Sequence, residues 1–125
     1  MNTEAAKQVI DLTETMHEAL ELARRHSGQK ASEEALGVLT DTMEAFSAVE
    51  RTLLEFSILP SGGDTGRENL QQHTDELRDG FDWMVQSLEN VSDASPYEVI
   101  NFTLMPRFQA WQAALRSCLR PFIVS

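Results

Sequence analysis

A chain of 125 residues that is 42% hydrophobic and 24% charged has the size of one domain and enough apolar material for a core, which excludes wholesale disorder. One cysteine rules out a disulfide framework and a cysteine-built zinc site, and no apolar run approaches the roughly 18–20 residues that span a bilayer. Twenty acidic against ten basic residues give a formal charge of −10, which disfavours nucleic acid and anionic membrane surfaces as partners.

The first helix is predicted from about Thr3 to Arg25. Val9, Leu12, Met16, Ala19, Leu20 and Ala23 recur at spacings of three and four. Asn2 or Thr3 can cap it, Glu4 suits the first turn, and Arg24 and Arg25 suit the carbonyl end. Gly28 is the stop signal. No basic region followed by an apolar stretch opens the chain, so no secretory signal is expected.

The second helix is predicted over about 32–57, capped by Ser32 with Glu33 and Glu34 following. Leu36, Leu39, Met43, Phe46, Val49, Leu53 and Phe56 form a seam close to a heptad. Gly37 costs it about 1 kcal/mol. The run PSGGDTG at 60–66 breaks the chain.

The third helix opens with a capping box, Thr65 and Glu68. Leu70, Leu77, Phe81, Met84, Leu88 and Val91 give its apolar stripe, with Asp75, Asp79, Asp82 and Glu89 off it. Gly80 marks a weak point or a close approach of a neighbouring helix. The fourth helix has the strongest start in the chain: Ser95 at the cap, Pro96 at the first position, Glu98 at the third. Ile100, Leu104, Phe108, Trp111, Leu115, Cys118 and Leu119 form its apolar face, and Pro121 is expected to end it. The tail beyond, starting at Phe122, is expected to dock. Pro106 lies about ten residues into this helix and crowds the carbonyl of Phe102, so a kink is expected there.

Strand patterns are poor and connections short. The reading is an all-α, antiparallel up-down four-helix bundle in one domain, 1–125. The predicted core includes Val9, Met16, Leu39, Phe46, Leu53, Leu77, Phe81, Leu88, Leu104, Phe108, Trp111 and Leu115.

Motifs for chemistry are sparse. Glu14 and His17 match the Glu-x-x-His pair of di-iron bundles, but His26 and His73 have Ala23 and Leu70 at the matching position, so the second copy is missing. His73 is followed by acids at 75 and 76, which would repel a phosphate. Cys118 on an apolar face reads as a small core residue. Gly62-Gly63 lacks the lysine of a phosphate loop. No catalytic residue, metal site or cofactor is assigned.

Two asymmetries stand out. No Asp or Glu follows Glu98, while Arg107, Arg116 and Arg120 do, so the last helix is expected to neutralise acidic neighbours. Seven of the nine aromatics lie after residue 80. Val99, Phe102 and Met105 widen the apolar arc of the fourth helix beyond one seam, and Trp83 lies beside the seam of the third. Trp83, Tyr97, Phe102 and Met105, rimmed by Arg107, are therefore the expected partner-binding surface. Coverage of that surface by the tail is the competing expectation.

The stretch Leu104-Met-Pro-Arg-Phe-x-x-Trp-x-x-x-Leu-x-x-x-Leu-Arg-Pro-Phe-Ile123 resembles the ending of small uncharacterised helical bacterial proteins, classed as domains of unknown function. That resemblance implies an all-α fold and no particular activity. In size and acidity the chain is also similar to small bacterial export chaperones of the flagellar type, at the level of the bundle. The expectation is a non-catalytic cytoplasmic protein that binds a protein partner or a second copy of itself. The alternative is a ligand-binding bundle or an enzyme with an enclosed cavity near Pro106, where Arg107, Tyr97 or His73 would converge.

Overall fold

The computed structural model describes residues 2–27, 32–55, 65–89 and 96–123. Every element among them is helical: α1 (Thr3–Ser27), α2 (Ser32–Glu55), α3 (Thr65–Leu88), α4 (Pro96–Val99), a π-helical segment (Ile100–Leu104) and α5 (Met105–Ile123). The last three run on without a break and form the fourth helix. The fold is an all-α bundle of four helices. The expected second-helix residues Phe56 and Ser57, the cap Ser95, Val91 and the run 60–64 lie outside the described residues.

Capping at the start of α1 is divided between two residues. The Asn2 side chain accepts from the Ala5 amide at 2.7 Å, so Asn2 is the cap. Thr3, one step inside the helix, instead donates its hydroxyl across the bundle to the Phe122 carbonyl at 2.7 Å. That carbonyl lies in the last turn of α5, where intrahelical donors run out. Pro121 does not end the helix as expected. The chain stays helical through Ile123, with Pro121 inside the last turn of α5. Phe122 and Ile123 pack half-buried against the core.

One core runs through all four helices, and eleven of the twelve predicted core residues are buried in it. The twelfth, Leu88, has a side chain outside the described set. At its centre Trp111 meets Phe46 edge-on at 5.3 Å between ring centroids and Phe108 at 5.8 Å, while Phe46 also meets Phe81 at 5.5 Å. Such tilted pairs add about 0.5–1.5 kcal/mol each to the burial itself. The buried hydroxyls are satisfied locally: Thr13, Thr42, Thr74 and Ser87 each donate to a carbonyl three or four residues back on their own helix. Thr13 also accepts from Gln112 of α5 at 3.2 Å, which ties α1 to the fourth helix.

Contacts fix the neighbours. Along α1, Thr3, Thr13 and His17 meet Phe122, Gln112 and Phe108 in turn, so partner numbers fall along the fourth helix as they rise along α1. Along α3, Glu76 and Gly80 meet Arg107 and Leu104 in the same reversed sense. Of the neighbouring pairs, α2 and α3 approach each other least.

The stress at Pro106 is met by a change of helical register. The Met105 amide bonds back to the Ile100 carbonyl, a five-residue step, over the turn immediately before the proline. In an ordinary α-turn the Pro106 ring would crowd the Phe102 carbonyl, and the wider π-helical turn lies over that same stretch.

Candidate functional site

Of the five residues expected to form a partner surface, three are open to solvent. Phe102 is 77% exposed, Trp83 50% and Tyr97 45%. Phe102 lies about 120° around an ideal helix from Phe108, on the side away from the core. Among the described residues, no ring-to-ring contact involves any of the three.

The other two are corrected by the structure. Met105 is 6% exposed and belongs to the core. It lies only about 60° around the helix from Phe108, within the arc that α5 turns inward. Val99, another member of the widened arc, is buried as well. Arg107 is half-buried and is not a rim charge. Its Nη1 donates to the Glu76 carbonyl at 2.9 Å, and its stem lies against Gly80. The apolar surplus of the fourth helix is thus divided, with Val99 and Met105 taken inward and Phe102 left outside.

The remaining candidates have local roles. His17 stacks on Phe108, with centroids 5.9 Å apart and rings within 9° of parallel, and its Nε2 lies 3.9 Å from Glu21. Glu14 is engaged by Arg116 at 3.3 Å. His73 lies 3.6 Å from Glu76 through Nδ1. No group of three or more potential metal ligands occurs among the described residues. Cys118 is half-buried and packs against the core. The side chain of His26 lies outside the described set. Of the late arginines, Arg116 pairs with the Glu14 carboxylate, whereas Arg107 meets a backbone carbonyl of α3 and not an acidic side chain.

A second surface was not foreseen. An open hollow of about 780 Å³ lies along α2, lined by Leu36, Met43, Glu44, Ser47 and Arg51, with Val85 reaching it from α3. A smaller hollow of about 210 Å³ shares Met43 and Ser47 and continues to Phe81, Asp82 and Arg78. Arg78 crosses this end. It is ion-paired to Glu50 and to Asp75, the latter at 3.1 Å, and lies over the Phe46 ring at 5.9 Å. Its guanidinium is held above the usual arginine range, chiefly by the Glu50 hydrogen bond and against the opposing effect of burial. Met43 read in sequence as an ordinary member of the α2 seam, and Val85 lay outside the α3 stripe. The available signal was the small polar pair Thr40 and Ser47 flanking Met43, which cannot fill the space between two helices. Neither hollow is lined by Pro106, Arg107, Tyr97 or His73, around which a ligand cavity was expected.

No helix among the described residues is long and apolar enough to cross a membrane. The family described as a domain of unknown function (DUF8042) matches residues 4–114, and the chain belongs to that family. No curated protein and no solved structure matches the chain, so nothing supports the likeness to flagellar export chaperones.

Proposed function

We propose that this chain, from a family without an assigned activity, is a non-catalytic protein-binding bundle of the cytoplasm. Its contact residues are Trp83, Tyr97 and Phe102, and its occupant is a protein partner or a second copy of the chain. The observation that carries the reading is Phe102 at 77% exposure. Fully burying a phenylalanine is worth roughly 1.5–3 kcal/mol, and this ring gains little of that from its own fold. Aromatic side chains that are left open and then desolvated by a partner are the usual anchors of protein interfaces.

The alternative, a ligand site or enzyme beside Pro106, has less in its favour. Arg107 is committed to a backbone carbonyl, and Leu104, Met105 and Phe108 fill the adjoining interior.

The test compares the wild-type chain with a Trp83→Glu/Phe102→Glu double variant of unchanged helicity. Light scattering reads self-association, and affinity capture from the native cell reads partners. Loss of the dimer or of a specific partner in the variant supports the proposal. A variant that keeps the same mass and the same partners removes it.

A further inference from the structure

We infer that the π-helical turn is a register switch at the start of the fourth helix. In the observed register Val99 and Ile100 lie in the core and Tyr97 lies in solvent. In an unbroken α-helix of the same residues Tyr97 turns in and Val99 turns out. The rotation stands on its own geometry, and only its bearing on partner contact rests on the reading above.

Burial spacing is the first argument. After the turn, Leu104, Phe108, Trp111, Leu115 and Leu119 are fully buried, at steps of three and four. Across the turn the step is five: Val99 and Ile100 precede Leu104 and Met105, and all four are buried. The Met105 amide makes the same five-residue step back to the Ile100 carbonyl. Such a turn holds one residue more than an α-turn, so the chain before it is rotated by about 100°.

The angles give the consequence. Counted from Phe108 at about 100° per residue, an unbroken α-helix sets Val99 at about 180°, facing outward, and Tyr97 at about 20°, on the core face. The extra residue brings Val99 to about 80° and Ile100 to about 20°, and swings Tyr97 to about 80° on the opposite flank. The exposures follow the second set, with Val99 at 5%, Ile100 at 0% and Tyr97 at 45%. Rotation falls on the short end of the helix because the long end is tied down. Arg107 holds the Glu76 carbonyl, Gln112 holds Thr13, and the Phe122 carbonyl accepts from Thr3. Pro106 sets the bias, since it has no amide to donate and its ring would crowd the Phe102 carbonyl in the α register.

The test reads both side chains by NMR in the presence of a soluble gadolinium chelate, which relaxes protons near the surface. Tyr97 is the only tyrosine, so its ring signals are unambiguous. In wild type the Tyr97 ring should relax strongly and the Val99 methyls weakly. In Pro106→Ala the Tyr97 effect should fall at least twofold and the Val99 effect rise at least twofold, with Leu115 unchanged. In Pro106→Ala/Tyr97→Glu a carboxylate cannot enter the core, so Val99 should return to its wild-type protection. Pro106→Ala with both signals as in wild type overturns the inference. So does equal exposure of Val99 in the single and double variants. None of these readouts involves a partner or self-association, so failure of the proposed function leaves them as stated.

Discussion

Gly80 of α3 faces Leu104 of the fourth helix so closely that a β-carbon at position 80 would stand 3.4 Å from Leu104 Cδ1, with Arg107 Cδ also at 3.4 Å. This is ordinary van der Waals contact for one methyl and leaves no room for a larger side chain. Gly80→Ala is expected to be neutral or to stabilise by up to about 1 kcal/mol through helix propensity. Gly80→Leu should cost about 1–3 kcal/mol by overpacking. Gly37, with nothing within 4 Å, is the internal control. Gly37→Ala should stabilise by about 0.5–1 kcal/mol. Urea denaturation of the variants measures all of these.

Met105 and Phe102 are neighbours on one helix with opposite environments, and their substitutions should separate accordingly. Met105→Ala removes a buried side chain and should cost about 2–5 kcal/mol. Phe102→Ala should change stability by no more than about 0.5 kcal/mol. Thermal unfolding followed by circular dichroism checks the pair. Equal losses in the two variants would refute the assignment of one to the core and the other to the surface.

Arg78 joins α2 to α3 from a half-exposed position, so its contribution is modest. Arg78→Ala should cost about 1 kcal/mol at low salt and less in 1 M salt, where screening weakens exposed pairs. Its pKa is raised in the folded state, so the contribution is fully present below the unfolded arginine value and is lost only as pH climbs through the still higher native one. Titration of Arg78 itself therefore leaves stability flat across roughly pH 5 to 9. The difference between wild type and Arg78→Ala in matched denaturation curves reads both effects.

Pro106 is exposed and follows the π-helical turn directly. Pro106→Ala restores an amide donor and removes the ring, and should stabilise the chain by about 1 kcal/mol. Hydrogen exchange at Asn101–Met105 should slow in the variant. Unchanged exchange and unchanged stability would mean that the π turn has another cause.

The core was legible because its signal is local and repeated. Leu39, Phe46 and Leu53 recur every seven residues along α2, and a stripe so regular has only one face on which to be buried. Partial reading began at the margins of each stripe. Met105 and Trp83 both lie beside a seam, yet one is buried and the other half open. A helical wheel gives the angle of a side chain but not how far the neighbouring helix reaches. Arg107 was misread for a related reason: its partner is the backbone carbonyl of Glu76, thirty-one residues away, and carbonyls leave no mark in a sequence.

The amino-acid order alone determined four helices, most of their limits, the interior that they share and the excess of acid, since hydrophobic period, cap chemistry and charge are properties of short stretches of chain. Only the tertiary structure decided that α2 meets α3 through Phe46 and Arg78, that Gly80 receives Leu104, and that Phe102 stays in water while Met105 does not. Those outcomes depend on the spacing and rotation of packed helices, which are set by all the side chains between them at once.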